Sequence, residues 1–199
     1  MLIIPPFYST PTEDELYQHY KTIGESISIP VMLYNNPATS NVDMLPPLVA
    51  RLSEIDNVSY IKESTMDATR VRDIIRLSAG RMSVFGGIMG YESFMNGAVG
   101  WTAVGCNLMP REFSDMYRLS VEERDIEAAS SLYDRIKPLI DLVGQDRYVG
   151  ATKCALALMG LPAGPPRPPR LPATDDTRAW VERVVDDLNL EFDGPAASG

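Results

Sequence analysis

The amino-acid sequence alternates between short apolar runs and longer amphipathic segments, and this alternation restricts the folds open to the chain. Each run stops at a proline, asparagine, lysine or glycine, and a segment with helical spacing follows it. The runs comprise residues 2–4, 30–34, 58–62, 82–85 and 100–104. Parallel strands need long crossover connections, which are most often helices. The sequence therefore predicts an α/β fold in which βα units build a parallel sheet.

Helices are predicted between these runs and throughout the rest of the chain. Thr12 and Glu15 have the spacing of a capping box and predict a helix to about Ile27, while Asp67 is expected to cap the helix after the third run. Beyond Asn107 only helices are predicted. They comprise residues 110–120, 121–141, 148–159 and 176–188, with a Pro-rich linker over 161–172.

The composition argues against several classes of partner. The chain has 199 residues and a net charge of −9, which disfavours binding to nucleic acid or to an anionic membrane surface. No apolar run is long enough to span a membrane and no charged-then-apolar leader opens the sequence, so a cytoplasmic protein is expected. The single His19 cannot build the usual transition-metal sites, and Cys106 and Cys154 are predicted to be small core residues, so no metal site is predicted.

Lys62 stands at the end of an apolar strand, where a charged side chain is unexpected. It is one of four lysines in the chain, and the other three lie outside the apolar runs. Burial disfavours an ammonium ion and favours the neutral amine, which is the form that attacks a ketone to give a Schiff base. A lysine at the rim of the sheet, with its charge in water, is the alternative that this stretch alone leaves open.

Polar and small residues gather where the predicted strands end. In a parallel βα architecture, binding groups collect at the carboxyl ends of the strands. Tyr34 ends the strand beside Lys62 and could carry a proton or, alternatively, anchor its own loop. Gly86 and Gly87 would let the backbone approach a small carboxylated substrate closely, although a plain turn accounts for them at least as well. Ser64 and Thr65 could equally cap the helix that follows them.

Several of these motifs resemble those of the dihydrodipicolinate synthase / N-acetylneuraminate lyase family. The resemblance rests on Tyr34-Asn35-Asn36-Pro37, Ile61-Lys62-Glu63-Ser64-Thr65, the Gly-Gly strand end and Gly100-Trp101-Thr102-Ala103-Val104. The tyrosine and lysine motifs occur in order and at a family-like separation, and the similarity extends over residues 2–188. This specific signal favours the nucleophilic interpretation of Lys62.

The resemblance implies a partial TIM (β/α)8 barrel followed by C-terminal helices. Members of the family form complete barrels with extra C-terminal helices and are usually homotetramers, so a homo-oligomer is expected. About five of the eight βα units are visible, which assigns residues 1–107 to the C-terminal part of the barrel and 108–190 to the helical extension. Residues 191–199 are predicted to be a disordered tail.

The resemblance also implies a role for each site residue. Lys62 would form a Schiff base with pyruvate or another 2-oxo acid, without a cofactor, and Tyr34 would be the phenol that shuttles protons. Thr102 falls where the family's backbone helps to hold the 2-oxo acid, together with the Gly-Gly strand end. Tyr8 resembles the tyrosine that reaches a neighbouring subunit's site in the synthases.

Two departures from the family pattern limit the functional prediction. The Gly-Thr-Thr-Gly-Glu loop that binds the pyruvate carboxylate lies upstream in the family, and it does not occur in this sequence. Thr39 stands where dihydrodipicolinate synthases place an arginine that binds the second substrate's carboxylate. The resemblance therefore implies a class I lyase, aldolase or dehydratase of 2-oxo acids. Two alternatives stay open: dihydrodipicolinate synthase itself, and a non-catalytic part of a barrel that binds 2-oxo acids or assembles with full-length subunits.

Overall fold

The computed structural model describes residues 1–145 and 147–191. Two compact units divide the chain, the first comprising Met1–Ala103 and the second Val104–Gly199. The first unit contains the sheet, and the described part of the second unit is helical. All the residues of the candidate site lie in the first unit.

A five-stranded parallel sheet forms the centre of the first unit. Its strands follow chain order across the sheet and are β1 (Leu2–Ile3), β2 (Val31–Asn35), β3 (Val58–Glu63), β4 (Ser83–Gly86) and β5 (Gly100–Trp101). The predicted parallel α/β arrangement is therefore confirmed. The prediction that the fifth strand reaches Val104 is wrong, because the chain leaves the sheet after Trp101 and turns into a 3-10 helix over Val104–Asn107.

Five helices accompany the strands. They are α1 (Glu13–Ser26), α2 (Pro37–Ser40), α3 (Pro46–Leu52), α4 (Thr69–Leu77) and α5 (Gly90–Met95). The capping box is confirmed, since Thr12 Oγ1 accepts from the Glu15 N–H at 3.3 Å and Glu15 Oε2 accepts from the Thr12 N–H at 2.7 Å. Asp67 is not the N-cap of α4, which is Ala68; its carboxylate instead accepts hydrogen bonds from the N–H and hydroxyl of Thr69. The helix α2 is not predicted because it is too short to show periodicity.

The strands bury one face of the sheet and leave the other face half-buried. Leu33 on β2, Ile61 on β3 and Val84 on β4 are fully buried. Successive residues of a strand point to opposite faces. Tyr34 and Lys62 accordingly lie on the half-buried face, at the carboxyl ends of their strands.

A polar cluster on the buried face holds the carboxyl ends of β2 and β3 together. Asn35 and Glu63 are register partners, and Asn35 Nδ2 donates to Glu63 Oε2 at 3.0 Å. The same amide donates to Asp43 Oδ1 at 3.2 Å, and Arg70 donates two hydrogen bonds to the Asp43 carboxylate at 2.6 and 2.8 Å. We call Asn35, Asp43, Glu63 and Arg70 the strand-end clamp. Asn35 and Glu63 are buried, and because buried polar groups are stable only when paired, their hydrogen bond fixes the relative position of the two strand ends. Asp43 and Arg70 extend the clamp towards the surface.

The two carboxyl groups of the clamp are shifted in opposite directions. Hydrogen bonds from the Arg70 guanidinium lower the pKa of Asp43 and outweigh the effect of burial. Burial raises the pKa of Glu63, and hydrogen bonds from Asn35 and Thr65 oppose this rise without cancelling it. Folding therefore favours the ionised form of Asp43 and disfavours that of Glu63.

The described part of the second unit consists of helices and the segments between them. After the 3-10 helix of Val104–Asn107, its helices are α6 (Pro110–Tyr117), a π-helical segment (Arg118–Glu123), α7 (Ile126–Val143), α8 (Tyr148–Leu158) and α9 (Asp175–Asp187). The helix predicted over 121–141 begins later than expected, because Arg124 adopts a left-handed conformation with φ 57° and Asp125 caps α7 at the Ala128 N–H. Residues 161–172 form no helix or strand. Of the predicted tail, residues 192–199 lie outside the described residues.

The cysteines differ in their surroundings. Cys154 is buried, as predicted. The prediction that Cys106 is a core residue is wrong, because Cys106 is exposed in the 3-10 helix that follows β5. No described helix is long and apolar enough to cross a membrane. Within residues 1–145 and 147–191, no group of three or more potential metal ligands occurs.

We expect Asp43→Asn to lower the free energy of unfolding by about 1 kcal/mol at neutral pH, a value discounted because the Asp43 side chain is 36% exposed. The pKa of Asp43 is lower in the folded chain than its ordinary 3.8, so its contribution is present above pH 3.8 and is lost as the pH falls through the folded value. Urea unfolding from neutral pH into acid should show the two stability curves converging. Asp56→Asn, at an exposed carboxylate, is the control. A constant gap between the Asp43→Asn and unsubstituted curves would contradict the prediction.

Candidate active site

Lys62 and Tyr34 lie side by side on neighbouring parallel strands. They are register partners, and Lys62 Nζ lies 4.3 Å from the centroid of the Tyr34 ring. At this distance the face of the ring attracts an ammonium ion. The amine therefore rests against the phenol at the edge where parallel sheets bind their ligands. The structure brings together the two residues that the sequence analysis singles out as catalytic.

Three polar groups act on the Tyr34 phenol. Asn36 Nδ2 donates a hydrogen bond to the phenol oxygen at 3.4 Å, so Tyr34 also anchors its own loop. Burial raises the pKa of Tyr34, but the Asn36 hydrogen bond, the charge of Lys62 and a smaller interaction with the Ser64 hydroxyl together lower it below its ordinary value. Tyr34 is therefore a stronger acid than free tyrosine, which suits a group that gives up and recovers a proton.

Ser64 lies on the same face as Lys62, two residues further along the chain. Its N–H donates to the Asn35 carbonyl at 2.9 Å, so the pairing between β2 and β3 continues to this point. Ser64 is only 3% exposed, and its hydroxyl makes no well-aligned hydrogen bond within the described residues. The prediction that Ser64 or the following threonine caps the next helix is wrong, because α4 begins at Thr69 and its first turn is bonded by Asp67.

Unpartnered polar atoms concentrate at this edge of the sheet. Across the part of the chain that the structure describes, four buried polar side-chain atoms lack a hydrogen-bond partner, and three of them belong to Asn36, Ser64 and Thr65. Leaving a buried polar group unpaired costs about 1–3 kcal/mol. Such exceptions are typical of functional sites, where a ligand or a transient charge supplies the missing partner.

The two glycines at the end of β4 make room for serine side chains. A Cβ on Gly87 would lie 1.8 Å from Ser64 Oγ, and a Cβ on Gly86 would lie 2.9 Å from the side chain of Ser93. Neither glycine has a positive φ. Close approach, not an unusual backbone conformation, is therefore the reason for glycine at both positions. The side chains of Ser64 and Ser93 occupy the space beside these glycines, and the close approach of a substrate that is expected from the sequence stays a prediction.

The end of β5 is tied to the same loop. The Thr102 N–H donates to the Gly86 carbonyl at 2.9 Å, and Trp101 Nε1 donates to the Gly87 carbonyl at 3.0 Å. Thr102 itself is exposed. Its N–H is therefore engaged within the sheet, and its role in holding a 2-oxo acid stays a prediction.

Tyr8 stands apart from this cluster. It lies in the loop between β1 and α1 and is 96% exposed, next to Phe7, which is 61% exposed. A side chain this exposed contacts little of its own chain. Its predicted contact with a neighbouring subunit concerns a second chain and stays a prediction.

Neither the strand-end clamp nor the unpaired hydroxyl of Ser64 is predicted from the sequence. The signal for the clamp is the alternation of β3: if Lys62 faces the site, Glu63 must face the buried side and needs a polar partner there. By the same argument Asn35, one residue after Tyr34, is that partner. For Ser64 the sequence contains no such signal, because a serine has the same appearance whether or not its hydroxyl is paired.

Comparison with known proteins agrees with these motifs. Residues 1–188 match the Dihydrodipicolinate synthetase family. The chain is 34% identical over 195 residues to a 4-hydroxy-tetrahydrodipicolinate synthase from Archaeoglobus fulgidus, which covers 95% of the chain and 66% of the relative. It is 32% identical over 196 residues to a protein of the same name from Syntrophus aciditrophicus, covering 96% of the chain and 66% of the relative. The chain thus spans about two thirds of the length of these curated relatives.

Solved structures are similar over the same extent. The chloride-inhibited dihydrodipicolinate synthase from Acinetobacter baumannii, complexed with pyruvate, matches with a TM-score of 0.90 and 31% identity, over 95% of the chain and 65% of that protein. The dihydrodipicolinate synthase from Aquifex aeolicus matches with a TM-score of 0.90 and 25% identity, over 97% of the chain and 67% of that protein. The predicted partial (β/α)8 barrel with C-terminal helices is thereby confirmed, and the chain belongs to the dihydrodipicolinate synthetase family.

Proposed function

We propose that this chain carries the Schiff-base site of a class I lyase that acts on 2-oxo acids. The observation that supports this most is the Lys62 amine resting 4.3 Å from the centre of the Tyr34 ring, at the carboxyl ends of two adjacent parallel strands. One small ligand placed there could touch both the amine and the phenol. The related synthase from Acinetobacter baumannii is complexed with pyruvate, which makes pyruvate the first ligand to test. The chemistry requires no cofactor.

Lys62 and Tyr34 have separate roles in forming the Schiff base. The neutral Lys62 amine adds to C2 of the 2-oxo acid, and the carbonyl oxygen takes up the proton of the Tyr34 phenol. The amine nitrogen then loses a proton to the phenolate, and the restored phenol gives its proton to the C2 hydroxyl, which leaves as water and leaves Tyr34 as the phenolate. One amine, one ketone and one proton thus give one iminium ion and one water.

The iminium ion is the electron sink for the reaction that follows. In an aldol cleavage the C3–C4 bond breaks, and its electron pair moves towards the iminium nitrogen to form an enamine. The proton of the C4 hydroxyl passes to a base, for which the Tyr34 phenolate is the nearest candidate in this arrangement. The same iminium supports dehydration, in which a proton leaves C3 and a hydroxyl leaves C4.

A second candidate is 4-hydroxy-tetrahydrodipicolinate synthase, the name of the relatives from Archaeoglobus fulgidus and Syntrophus aciditrophicus. Thr39 argues against it. This residue lies exposed on α2, at the position where the resemblance to the synthases implies an arginine. A threonine cannot offer the paired, charged hydrogen bonds by which an arginine binds a carboxylate. We therefore favour lyases, aldolases and dehydratases of other 2-oxo acids.

A third candidate is a non-catalytic chain that binds a 2-oxo acid or assembles with longer subunits. Apolar side chains are exposed on β1 and the loop after it: Leu2 by 47%, Ile4 by 44% and Phe7 by 61%. Exposed apolar residues that lie together favour contact with further polypeptide, which in this candidate belongs to a longer subunit. A homo-oligomer is the expected assembly, although one similar solved structure is a monomeric dihydrodipicolinate synthase variant.

Borohydride reduction in the presence of pyruvate should add pyruvic acid, less one oxygen atom, to Lys62. Borohydride delivers hydride to the iminium carbon and converts it to a stable secondary amine, which peptide mass spectrometry can locate. Lys21, Lys137 and Lys153 are internal controls, and Lys62→Arg should abolish the adduct while keeping the positive charge. An adduct spread over all four lysines, or none on Lys62, would overturn the proposal.

We expect aspartate semialdehyde to leave the amount of trapped pyruvate adduct unchanged. A synthase would consume the pyruvate imine by condensation, so less adduct would remain when borohydride is added. The relative from Archaeoglobus fulgidus, treated in parallel, is the positive control and should lose most of its adduct. A matching loss from this chain would assign it to the synthases despite Thr39.

A further inference from the structure

We propose that Ser64 is a positioning residue whose hydroxyl donates a hydrogen bond to the Tyr34 phenolate while the Tyr34 proton resides on the substrate. This inference rests on the proposed Schiff-base function, since it concerns the proton that Tyr34 transfers there. Its starting point is a buried hydroxyl that has no well-aligned partner among the described residues, at the edge of the sheet where Lys62 and Tyr34 meet.

The strand register places Ser64 beside the phenol. Tyr34 pairs with Lys62 across β2 and β3, and the bond from the Ser64 N–H to the Asn35 carbonyl continues this pairing. Ser64 therefore follows Lys62 on the same face of the sheet, diagonal to Tyr34. Lys62 and Ser64 flank the phenol from β3, and Asn36 reaches it from the end of β2.

The next strand leaves space for this hydroxyl because residue 87 is a glycine. A Cβ at Gly87 would lie 1.8 Å from Ser64 Oγ. The backbone of Gly87 is itself fixed, since its N–H donates to the Glu63 carbonyl at 2.7 Å. The Ser64 hydroxyl is thus held against the Gly87 backbone, with little freedom to move to another partner.

A hydroxyl in this position contributes most when the phenol is charged. An O–H···O⁻ hydrogen bond is shorter and stronger than one between neutral groups. A donor that is unpaired beside the neutral phenol and paired with the phenolate stabilises the charged form selectively, and only such differential interactions accelerate a step. Burial raises the pKa of Tyr34, yet Asn36, Lys62 and Ser64 together outweigh it, which agrees with this role.

The remaining charged groups nearby face away from the phenol. Lys62 is the charged neighbour on the Tyr34 face, and its register partner on β4 is the apolar Phe85. On the other side of β2, β1 contributes Leu2 and Ile3. The charged members of the strand-end clamp lie on the opposite, buried face of the sheet.

A tyrosinate absorbance titration tests the contact directly. The chain has nine tyrosines, so Tyr34 is isolated by subtracting the titration of each protein's Tyr34→Phe version. We expect Ser64→Ala to lower the acid dissociation constant of Tyr34 by about tenfold, the loss of one hydrogen bond to a charged group. Ser64→Cys, whose thiol has a similar shape but is larger and a weak donor, should act in the same direction. The unfolding midpoint of Ser64→Ala should not fall, because the hydroxyl makes no well-aligned hydrogen bond among the described residues and its burial is itself unfavourable.

Ser78→Ala is the matched control. Ser78 is also fully buried, but its hydroxyl donates to the Ile75 carbonyl at 3.3 Å and accepts from the Met82 N–H at 3.3 Å. Its loss should lower the unfolding midpoint and leave the Tyr34 titration unchanged. A Tyr34 titration that Ser64→Ala does not alter, or that both serine variants alter equally, would overturn the proposal.

Pyruvate trapping separates this inference from the proposed function. In Ser64→Ala the borohydride-trapped adduct on Lys62 should form about tenfold more slowly than in the unsubstituted chain. Equal rates in the two proteins would refute the positioning role even if the adduct forms. If the unsubstituted chain forms no adduct, the Schiff-base function is refuted, and the tyrosinate titration still decides whether Ser64 bonds to the Tyr34 phenolate.

Discussion

The register between β2 and β3 is the constraint on which the candidate site depends. It sets Tyr34 opposite Lys62 on one face and Asn35 opposite Glu63 on the other. A shift of one residue would exchange the faces, bringing a carboxylate to the site and the amine to the core. The hydrogen bond of 3.0 Å between Asn35 and Glu63 therefore has two effects: it satisfies two buried polar groups, and it holds the strands in the one register that joins the amine to the phenol.

The fold is predictable from the sequence wherever a local pattern determines it, and much less so where distant contacts do. The alternation of apolar runs and helical segments locates all five strands. The end of β5 is set instead by the loop after β4, whose carbonyl groups accept from the Trp101 indole and the Thr102 N–H. The late start of α7 likewise follows from the left-handed backbone conformation of Arg124, which the spacing of apolar residues does not predict.

The candidate site divides in the same way. Lys62 is visible in the sequence because a lysine in an apolar strand is a local anomaly, and Tyr34 because it ends the neighbouring strand. Ser64 and Ser78 are both buried serines that the sequence does not distinguish. The Ser78 hydroxyl has two hydrogen-bond partners, whereas that of Ser64 has no well-aligned one in the part of the chain that the structure describes. Only the packing of the surrounding strands distinguishes a serine whose hydroxyl is hydrogen-bonded within the fold from one whose hydroxyl is available to a ligand or a transient charge.

Strand alternation also explains how Lys62, the proposed nucleophile, can stand directly before the carboxylic acid of Glu63 in the chain. If Glu63 shared a face with Lys62, its carboxylate could accept hydrogen bonds from the amine and compete with a ligand for it. The pleat turns Glu63 to the buried side instead, where Asn35 and the Thr65 N–H receive it. Burial raises the pKa of Glu63 there, and the hydrogen bonds from Asn35 and Thr65 oppose this rise. The half-buried face is left with one amine, one phenol and hydrogen-bond donors for the phenolate, a set of groups suited to moving a proton to and from a bound carbonyl oxygen.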